Sequence, residues 1–348
     1  MLCANYLQSE FVLSDLIFNI DLDNHQKSFE CPSTDSILEG GLRHGLAMHY
    51  ECSNGTCGAC VAKLIKGEVK AIKHFDYRLS EAQKQNNEFL MCCHAAQTDL
   101  NIEVDLIGDV ASIPIQQIPT KVKSIEFIDE RMAIVLLRTP RSKTLQFMAG
   151  QDVELNFKGI SARYPLASCP CHGMELEFHI RRLDEDLFSQ AVFNKKIKNK
   201  SVVELEGPKG VFVLKETSKK PMLFIAWDSG FAPIRSLIEH AFSLELENPV
   251  DFYWTYPADE QLPYLQKHAK SWGAVVDDYQ YKEIPCEFDR QSKNDCHKVS
   301  KDIFNALDKQ KLNDSDVYLC APAEVLIYLG ELLLENGLDE SQLIASPI

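Results

Sequence analysis

In the stretch YECSNGTCGACVAKL, Cys52, Cys57 and Cys60 stand with four and then two residues between them, and Cys92 follows after 31 more, within FLMCCHAAQTDL. Thiolates at this spacing, three in one loop and a fourth from a later segment, can hold the two irons of a [2Fe–2S] cluster. Gly55 and Gly58 suit the same chemistry, because a glycine-rich loop can wrap tightly and aim its N–H groups at the sulfurs. Structural zinc prefers two C-x2-C-like pairs, and only one is present, so the cluster is the better reading. Cys93 is the rival for the fourth ligand.

A second chemical feature lies in FIAWDSGFAPIRSLIEHAF, residues 224–242. An apolar strand runs into a helix with Ile234, Leu237, Ile238, Ala241 and Phe242 at helical spacing and Pro233 at a first-turn position. Such a turn offers backbone N–H groups and a positive dipole end to a phosphate. Here it carries Trp227 and Asp228, a bulky ring and a carboxylate, where close backbone approach calls for glycine. Asp228 can be read as a cap whose carboxylate occupies the anion site itself. It can also be read as part of a displaced turn that leaves the rest of the crevice open.

The 348 residues suggest two or three domains, and 45% apolar against 25% charged residues describes folded chain throughout. With 36 basic and 51 acidic residues the net charge is −15, which argues against a nucleic-acid backbone or an anionic membrane as partner and leaves a basic protein face as a candidate. No apolar run approaches the roughly 20 residues of a membrane span, and MLCANYLQSEF lacks a positive region ahead of an apolar one, so the expectation is a soluble, cytoplasmic protein. Of the twelve cysteines, the eight outside the cluster set (Cys3, Cys31, Cys93, Cys169, Cys171, Cys286, Cys296, Cys320) read as small core residues.

Three compositional segments position these features. Residues 1–107 pair strand-like runs (FVLSDLIFNI, CVAKLIKGEV, LNIEVDL) with one short helix at DSILEGGLRHG, where Asp35 is the expected N-cap. Residues 108–119, ending in proline-bearing ASIPIQQIPT, read as a linker. Residues 120–217 hold alternating strands (KVKSIEFI, MAIVLLRT, DVELNF, ELEFHIRRL, SVVELEG, GVFVL) around one helix, LFSQAVFNKKI, the pattern of a small antiparallel barrel. Residues 218–348 alternate strand and helix: MLFIAW, VDFYW, GAVVDDYQY and DVYLC each precede a helix, and Gly337 stops the last one. That alternation makes a parallel sheet with ligands at the carboxyl ends of its strands. The fold class is therefore multidomain, α+β and α/β.

SILEGGLRHGLAMHYECSNGTCGAC resembles the helix and cluster loop of plant-type ferredoxins, which implies a β-grasp fold for residues 1–107. In those proteins the last ligand precedes an aspartate by seven positions, as Cys92 precedes Asp99, and this resemblance favours Cys92 over Cys93. The order of ferredoxin, barrel and parallel α/β domain resembles the one-chain reductases of the ferredoxin–NADP reductase superfamily, such as oxygenase reductase components and glucoseen reductases. Their flavin motif, Arg-x-Tyr-Ser-x-x-Ser, is matched by ARYPLAS (162–168), with Ala162 at the arginine position, Arg163 next to it and Pro165 in place of the first serine. Arg163, one place along a strand, points to the opposite face. Asp186 stands where the family has glycine, close to the flavin pyrophosphate, and EGPKGVF (206–212) matches the barrel's ending. AWDSGFAP (226–233) matches the nucleotide turn Ala-Gly-Gly-Thr-Gly-x-Ala-Pro, and VYLCAP resembles the Cys-Gly-Pro whose cysteine lies near the hydride-donating carbon.

The resemblance implies FAD held by Arg163, Tyr164, Leu166, Ser168 and Ser189, and a nicotinamide nucleotide held by Gly230 and Pro233, with Cys320 at the reacting end. FYWTYPADEQ has no basic residue for a 2′-phosphate, so NADH is expected rather than NADPH. The implied function is electron transfer from NADH through FAD to the cluster and on to a separate acceptor protein such as an oxygenase component. The alternative is a ferredoxin-like carrier or partner-binding subunit whose reductase half has lost its nucleotide sites.

Overall fold

Alternating burial builds the first sheet. In β1 (Ile17–Leu22) and β2 (Lys27–Pro32) the inward positions are Ile20, Leu22, Phe29 and Cys31, and the two strands pair antiparallel. The computed structural model describes residues 16–104 apart from 26, 45, 47, 49, 51–54, 56 and 57, together with 106, 113–287 and 293–348. The chain divides into two compact units, residues 1–107 and 108–348.

In the first unit β2 leads into α1 (Ile37–Arg43), then β3 (Val61–Lys66), β4 (Val69–Ala71), α2 (Glu81–Gln85), β5 (Glu88–Leu90), β6 (His94–Ala96) and β7 (Leu100–Glu103). The sheet order is β2-β1-β7-β3-β5, with β1 and β7 parallel and the other neighbours antiparallel. This mixed sheet with α1 against it is a β-grasp arrangement. The cap of α1 is Ser36, not the expected Asp35: Ser36 Oγ accepts from Glu39 N while Glu39 reaches back to Ser36 N, each at 3.2 Å. The Asp35 carboxylate instead pairs with Arg43 at 2.6 Å, near the far end of the same helix.

The second unit opens with six antiparallel strands and one helix: β8 (Gln116–Phe127), β9 (Met132–Arg138), β10 (Asp152–Phe157), β11 (Ile160–Pro165), β12 (Glu175–Arg181), α3 (Leu187–Phe193) and β13 (Val202–Lys209). Their order is β11-β10-β13-β8-β9-β12. Two bonds close this sheet into a barrel: Ala167 N donates to Glu177 O at 2.9 Å, and Glu177 N donates to Ser168 Oγ at 2.8 Å. Residues 116–119, expected in the linker, begin β8. Pro119 is tolerated there because β9 pairs with β8 only from Lys121 onward, so no neighbouring strand needs its missing N–H. GVFVL is not a strand. After Gly210 the chain leaves the barrel and buries Phe212 and Leu214 in the apolar core of the next domain.

That domain comprises β14 (Met222–Trp227), α4 (Phe231–Ser243), β15 (Val250–Pro257), α5 (Gln266–Ser271), β16 (Tyr279–Cys286), α6 (Lys293–Ala306), α7 (Lys309–Leu312), β17 (Asp316–Ala321), α8 (Ala323–Glu335) and β18 (Leu343–Pro347). The order β16-β15-β14-β17-β18 is wholly parallel. The chain direction switches between β14 and β17, and the crevice at their carboxyl ends is the ligand position of such sheets. Of GAVVDDYQY only the last residues are strand, because Trp272–Ala274 first form a 3-10 turn that packs Trp272 into the core. Among the described residues no helix is long and apolar enough to cross a membrane.

Candidate functional site

The described part of the cluster loop is tied to the 3-10 turn Met91–Cys93 by Met91 N, which donates to Cys60 O at 3.0 Å. Cys60, Cys92 and Cys93 are all buried, and the Cys92 and Cys93 sulfurs lie 3.5 Å apart. A hydrogen bond to Cys60, and then burial, push the Cys92 thiol far above its ordinary range. Two buried thiols in contact resist ionising together, and cationic irons reverse that cost, so this donor set fits a cluster. The glycines fit as well. Gly55 and Gly58 have φ of +80° and +78°, and a Cβ on Gly58 would lie 2.3 Å from the Tyr77 ring. Cys52 and Cys57 lie outside the described residues.

In the second unit, a cleft of about 500 Å³ opens between the barrel and the α/β domain, a size suited to a small-molecule site. Arg163, Tyr164, Pro233 and Cys320 line it, as expected from the sequence. Tyr164 packs against Phe188 at 5.5 Å between ring centroids, and its hydroxyl donates to Asp186. Burial first, and then this bond, push the phenol well above its ordinary range. Arg163 projects from the opposite strand face at the rim, where Asp152 accepts from its Nη2 at 2.8 Å.

The other expected flavin contacts are structural. Leu166 sits in the barrel core and its N–H is used by Gln151 O at 3.0 Å. Ser168 closes the barrel, its hydroxyl accepting from Glu177 N. Ser189 clasps the turn before α3, donating to Asp186 O at 2.9 Å and accepting from Leu183 N at 3.2 Å. None of the three lines the cleft. Asp186 caps α3, accepting from Phe188 N at 2.9 Å and Ser189 N at 3.1 Å. The tyrosine-walled end of the cleft thus fits a flavin ring, while the donors at the start of α3 already serve a carboxylate. Arg163 stands at the rim with its guanidinium already paired to Asp152.

The nucleotide turn departs from the first of the two sequence readings. Trp227 is buried among Ile225, Tyr253 and the α6 and α8 side chains, and Asp228 bends the chain at φ +46°. Asp228 does not cap α4, whose first turn has no side-chain cap. Its carboxylate turns back to the barrel and pairs with Arg181 Nε at 3.0 Å. Arg181 also grips Glu260, and Arg131 bonds Asp259 at 2.7 Å. Burial alone would lower Arg181's hold on its proton, but Asp228 and Glu260 outweigh it and raise it. The result is a chain of alternating charges across the crevice. Gly230 does not line the cleft and serves packing instead. A Cβ there would lie 2.5 Å from Cys320 O, so glycine lets α4 start against β17. Burial drives the Cys320 thiol well above its ordinary range, leaving it a neutral, apolar wall.

Sequence reasoning missed Arg181, Asp152 and the β18 end (Ala345–Ile348), which also line the cleft. No local signal marks Arg181, since its partners lie 47 and 79 positions away (228 − 181 and 260 − 181). Cys169 and Cys171 are also not the inert core pair expected: they are joined as a disulfide, with Cys171 exposed. Cys31, Cys93, Cys286, Cys296 and Cys320 are buried as expected, and Cys3 lies outside the described residues.

A family model for the 2Fe-2S iron-sulfur cluster binding domain matches residues 20–97, and one for the oxidoreductase FAD-binding domain matches residues 119–214. The chain is an electron-transfer oxidoreductase that joins a [2Fe–2S] domain to an FAD-binding domain on a ferredoxin-reductase-like fold. Among its relatives is the CDP-6-deoxy-L-threo-D-glycero-4-hexulose-3-dehydrase reductase of Yersinia pestis, 28% identical over 93% of this chain and 96% of that protein. Another is the reductase component of phenol 2-monooxygenase from Pseudomonas sp. strain CF600, 28% identical over 64% and 63%. In fold it is similar to the ferredoxin reductase in carbazole 1,9a-dioxygenase, with a TM-score of 0.56 and 21% identity over 96% of this chain and 98% of that one.

Proposed function

We propose that this chain takes electrons from NADH and delivers them singly, through a cluster held by Cys52, Cys57, Cys60 and Cys92, to a separate oxygenase component. When bound, FAD accepts the electron pair of a hydride and releases it one electron at a time, and a [2Fe–2S] cluster carries one. The observation that carries the reading is the cleft, which brings Tyr164 and Arg163 of the barrel to Pro233 and Cys320 of the α/β domain. Tyr164 offers a ring face, fixed by Asp186, against which a flavin can stack. Cys320, buried and neutral, excludes water from the reacting end without adding charge. After β15, Asp259 and Glu260 already occupy the guanidinium groups of Arg131 and Arg181, so neither arginine is open to a 2′-phosphate, which supports NADH over NADPH. The phenol 2-monooxygenase relative is named as the reductase component of that system, and the charge of −15 suits an acceptor with a basic face.

A second reading, a carrier subunit with a closed reductase half, is favoured by Asp186, whose carboxylate takes the N–H groups at the start of α3. Steady-state assays separate the two. NADH should drive reduction of both ferricyanide and cytochrome c by the wild-type protein, and Cys92→Ser should keep the first and lose the second. A carrier would reduce neither with NADH, yet would pass electrons to cytochrome c once chemically reduced. Retention of cytochrome c reduction and cluster absorbance by Cys92→Ser would transfer the ligand role to Cys93.

A further inference from the structure

Outside the cleft, the loop that follows the flavin motif carries a second redox-competent group. Cys169 and Cys171 are joined as a disulfide with a sequence separation of 2. A ring this small contributes little chain-entropy stabilisation, and the loop is already held by the Ser168 clasp and by Ser236 Oγ, which donates to Ser168 O at 2.7 Å. The two sulfurs stand in opposite surroundings. Cys171 is exposed, whereas Cys169 is 1% exposed and packs against α4. There the Nδ1 of His240, itself nine-tenths buried, lies 3.7 Å from the Cys169 sulfur. Glu216 sits 3.3 Å from the other ring nitrogen, Nε2, and Ser243 Oγ lies 3.4 Å from Nδ1.

This is a cysteine–histidine–glutamate line. The carboxylate sits against Nε2 and the opposite nitrogen, Nδ1, faces the Cys169 sulfur, so the ring is placed to bond a thiol or thiolate formed there. We propose that Cys169–Cys171 is a redox-active cystine, opened by a dithiol reductant that attacks the exposed Cys171 sulfur while Cys169 leaves toward His240. The attacking thiol gives up its proton and its sulfur forms a mixed disulfide with Cys171 as the Cys169–Cys171 bond breaks; the electron pair of that bond passes to Cys169, and the proton given up is taken up there, beside His240 Nδ1. The second thiol of the reductant then closes on the first, releasing the Cys171 thiol. The balance is one protein disulfide plus one dithiol giving one protein dithiol plus one cyclic disulfide. The asymmetry serves this order, because exposure selects the sulfur attacked and a stabilised thiolate is the better leaving group.

The test uses the full-length protein, dithiothreitol as the dithiol, and differential alkylation read by peptide mass spectrometry. Native protein should open this disulfide while Cys31, Cys286 and Cys320 stay unlabelled, and diamide should close it again. His240→Gln should slow the opening about tenfold at neutral pH, as expected when the leaving sulfur loses the imidazole beside it. Glu216→Gln, which keeps the ring, should slow it by less. With Cys171→Ser, the lone Cys169 thiol should react with iodoacetamide about tenfold faster than in Cys171→Ser/His240→Gln. Equal rates in that pair of variants, or two thiols in aerobically isolated protein that diamide does not join, would overturn the proposal. A folding defect in His240→Gln would leave the Glu216→Gln comparison to decide, with a wild-type opening rate counting against it.

Discussion

Two aspartates stand where the superfamily pattern has glycine beside a phosphate, and the structure uses them in opposite ways. Asp186 caps its helix and takes the N–H groups at the start of α3, with Tyr164 as a third donor. Asp228 leaves α4 uncapped, turns its carboxylate away from the helix start and engages Arg181. One substitution removes backbone donors from a phosphate, while the other leaves the helix start open and brings a guanidinium to the crevice. The effect of an acid at an anion site therefore depends on which donors it satisfies, beyond its charge.

Several variants would break or sharpen this contrast. The largest expected effect is that of Arg181→Ala, which takes the guanidinium from the buried carboxylates of Asp228 and Glu260. Urea unfolding of the second unit should show a loss of about 3 kcal/mol, and the KM for NADH should rise. Asp186→Gly should tighten FAD binding about tenfold by removing a carboxylate from the phosphate end of the cleft, measured by release of flavin fluorescence on dilution. Weaker binding in that variant would show that Asp186 serves the cofactor. Asp228→Gly should lower the KM for NADH about fivefold with kcat unchanged, and it relieves the positive φ at that position. An unchanged KM would place the nucleotide away from this turn.

The smallest expected effect is a pH dependence of the seam between the barrel and α4. His179 is buried between Glu177 at 2.9 Å and the Tyr264 hydroxyl at 2.8 Å, with Arg235 beside it. Burial, only partly opposed by Glu177, lowers its affinity for a proton. The unfolded chain therefore binds more protons than the folded one just below the ordinary histidine value of about 6.5, and stability is complete above that value and declines as pH falls through it. Burial would raise Glu177, but bonds to His179 and then the charge of Arg235 hold it at about 2. Its contribution is present above the ordinary carboxylate value of about 4.3 and is lost as pH falls toward 2. Thermal midpoints should decline from pH 7 to pH 5.5 in the wild type and less in His179→Gln, with a second decline below about pH 4.3. A flat profile from pH 7 to 5.5 would contradict the neutral, buried histidine.

What is legible in the sequence is mostly local. Thiolate spacing in one loop announces a cluster, and the change from alternating strands to strand–helix repeats marks the barrel and the parallel sheet. Asp186 stands out in the sequence as an acid near a phosphate site, and only the structure shows it as the cap of α3. The Arg181–Asp228 pair joins residues from different domains of one unit, and no local pattern encodes it. Leu166 and Ser168 mislead for a related reason: a motif conveys which residue types recur but not whether barrel closure has already used their polar groups. Cysteine is usually buried, so the loop at Cys169 and Cys171 reads as core, and only the folded chain shows one sulfur in water and the other against His240.

The central claim is that electrons enter at the cleft and leave through the cluster, and one measurement tests it most directly. Anaerobically purified protein, with its flavin content determined, is mixed with NADH and its visible spectrum followed. The expected result is bleaching of the flavin band together with the cluster bands, with loss of only the cluster contribution in Cys92→Ser. A protein that holds both chromophores, is bleached by dithionite and is left unchanged by NADH would contradict it.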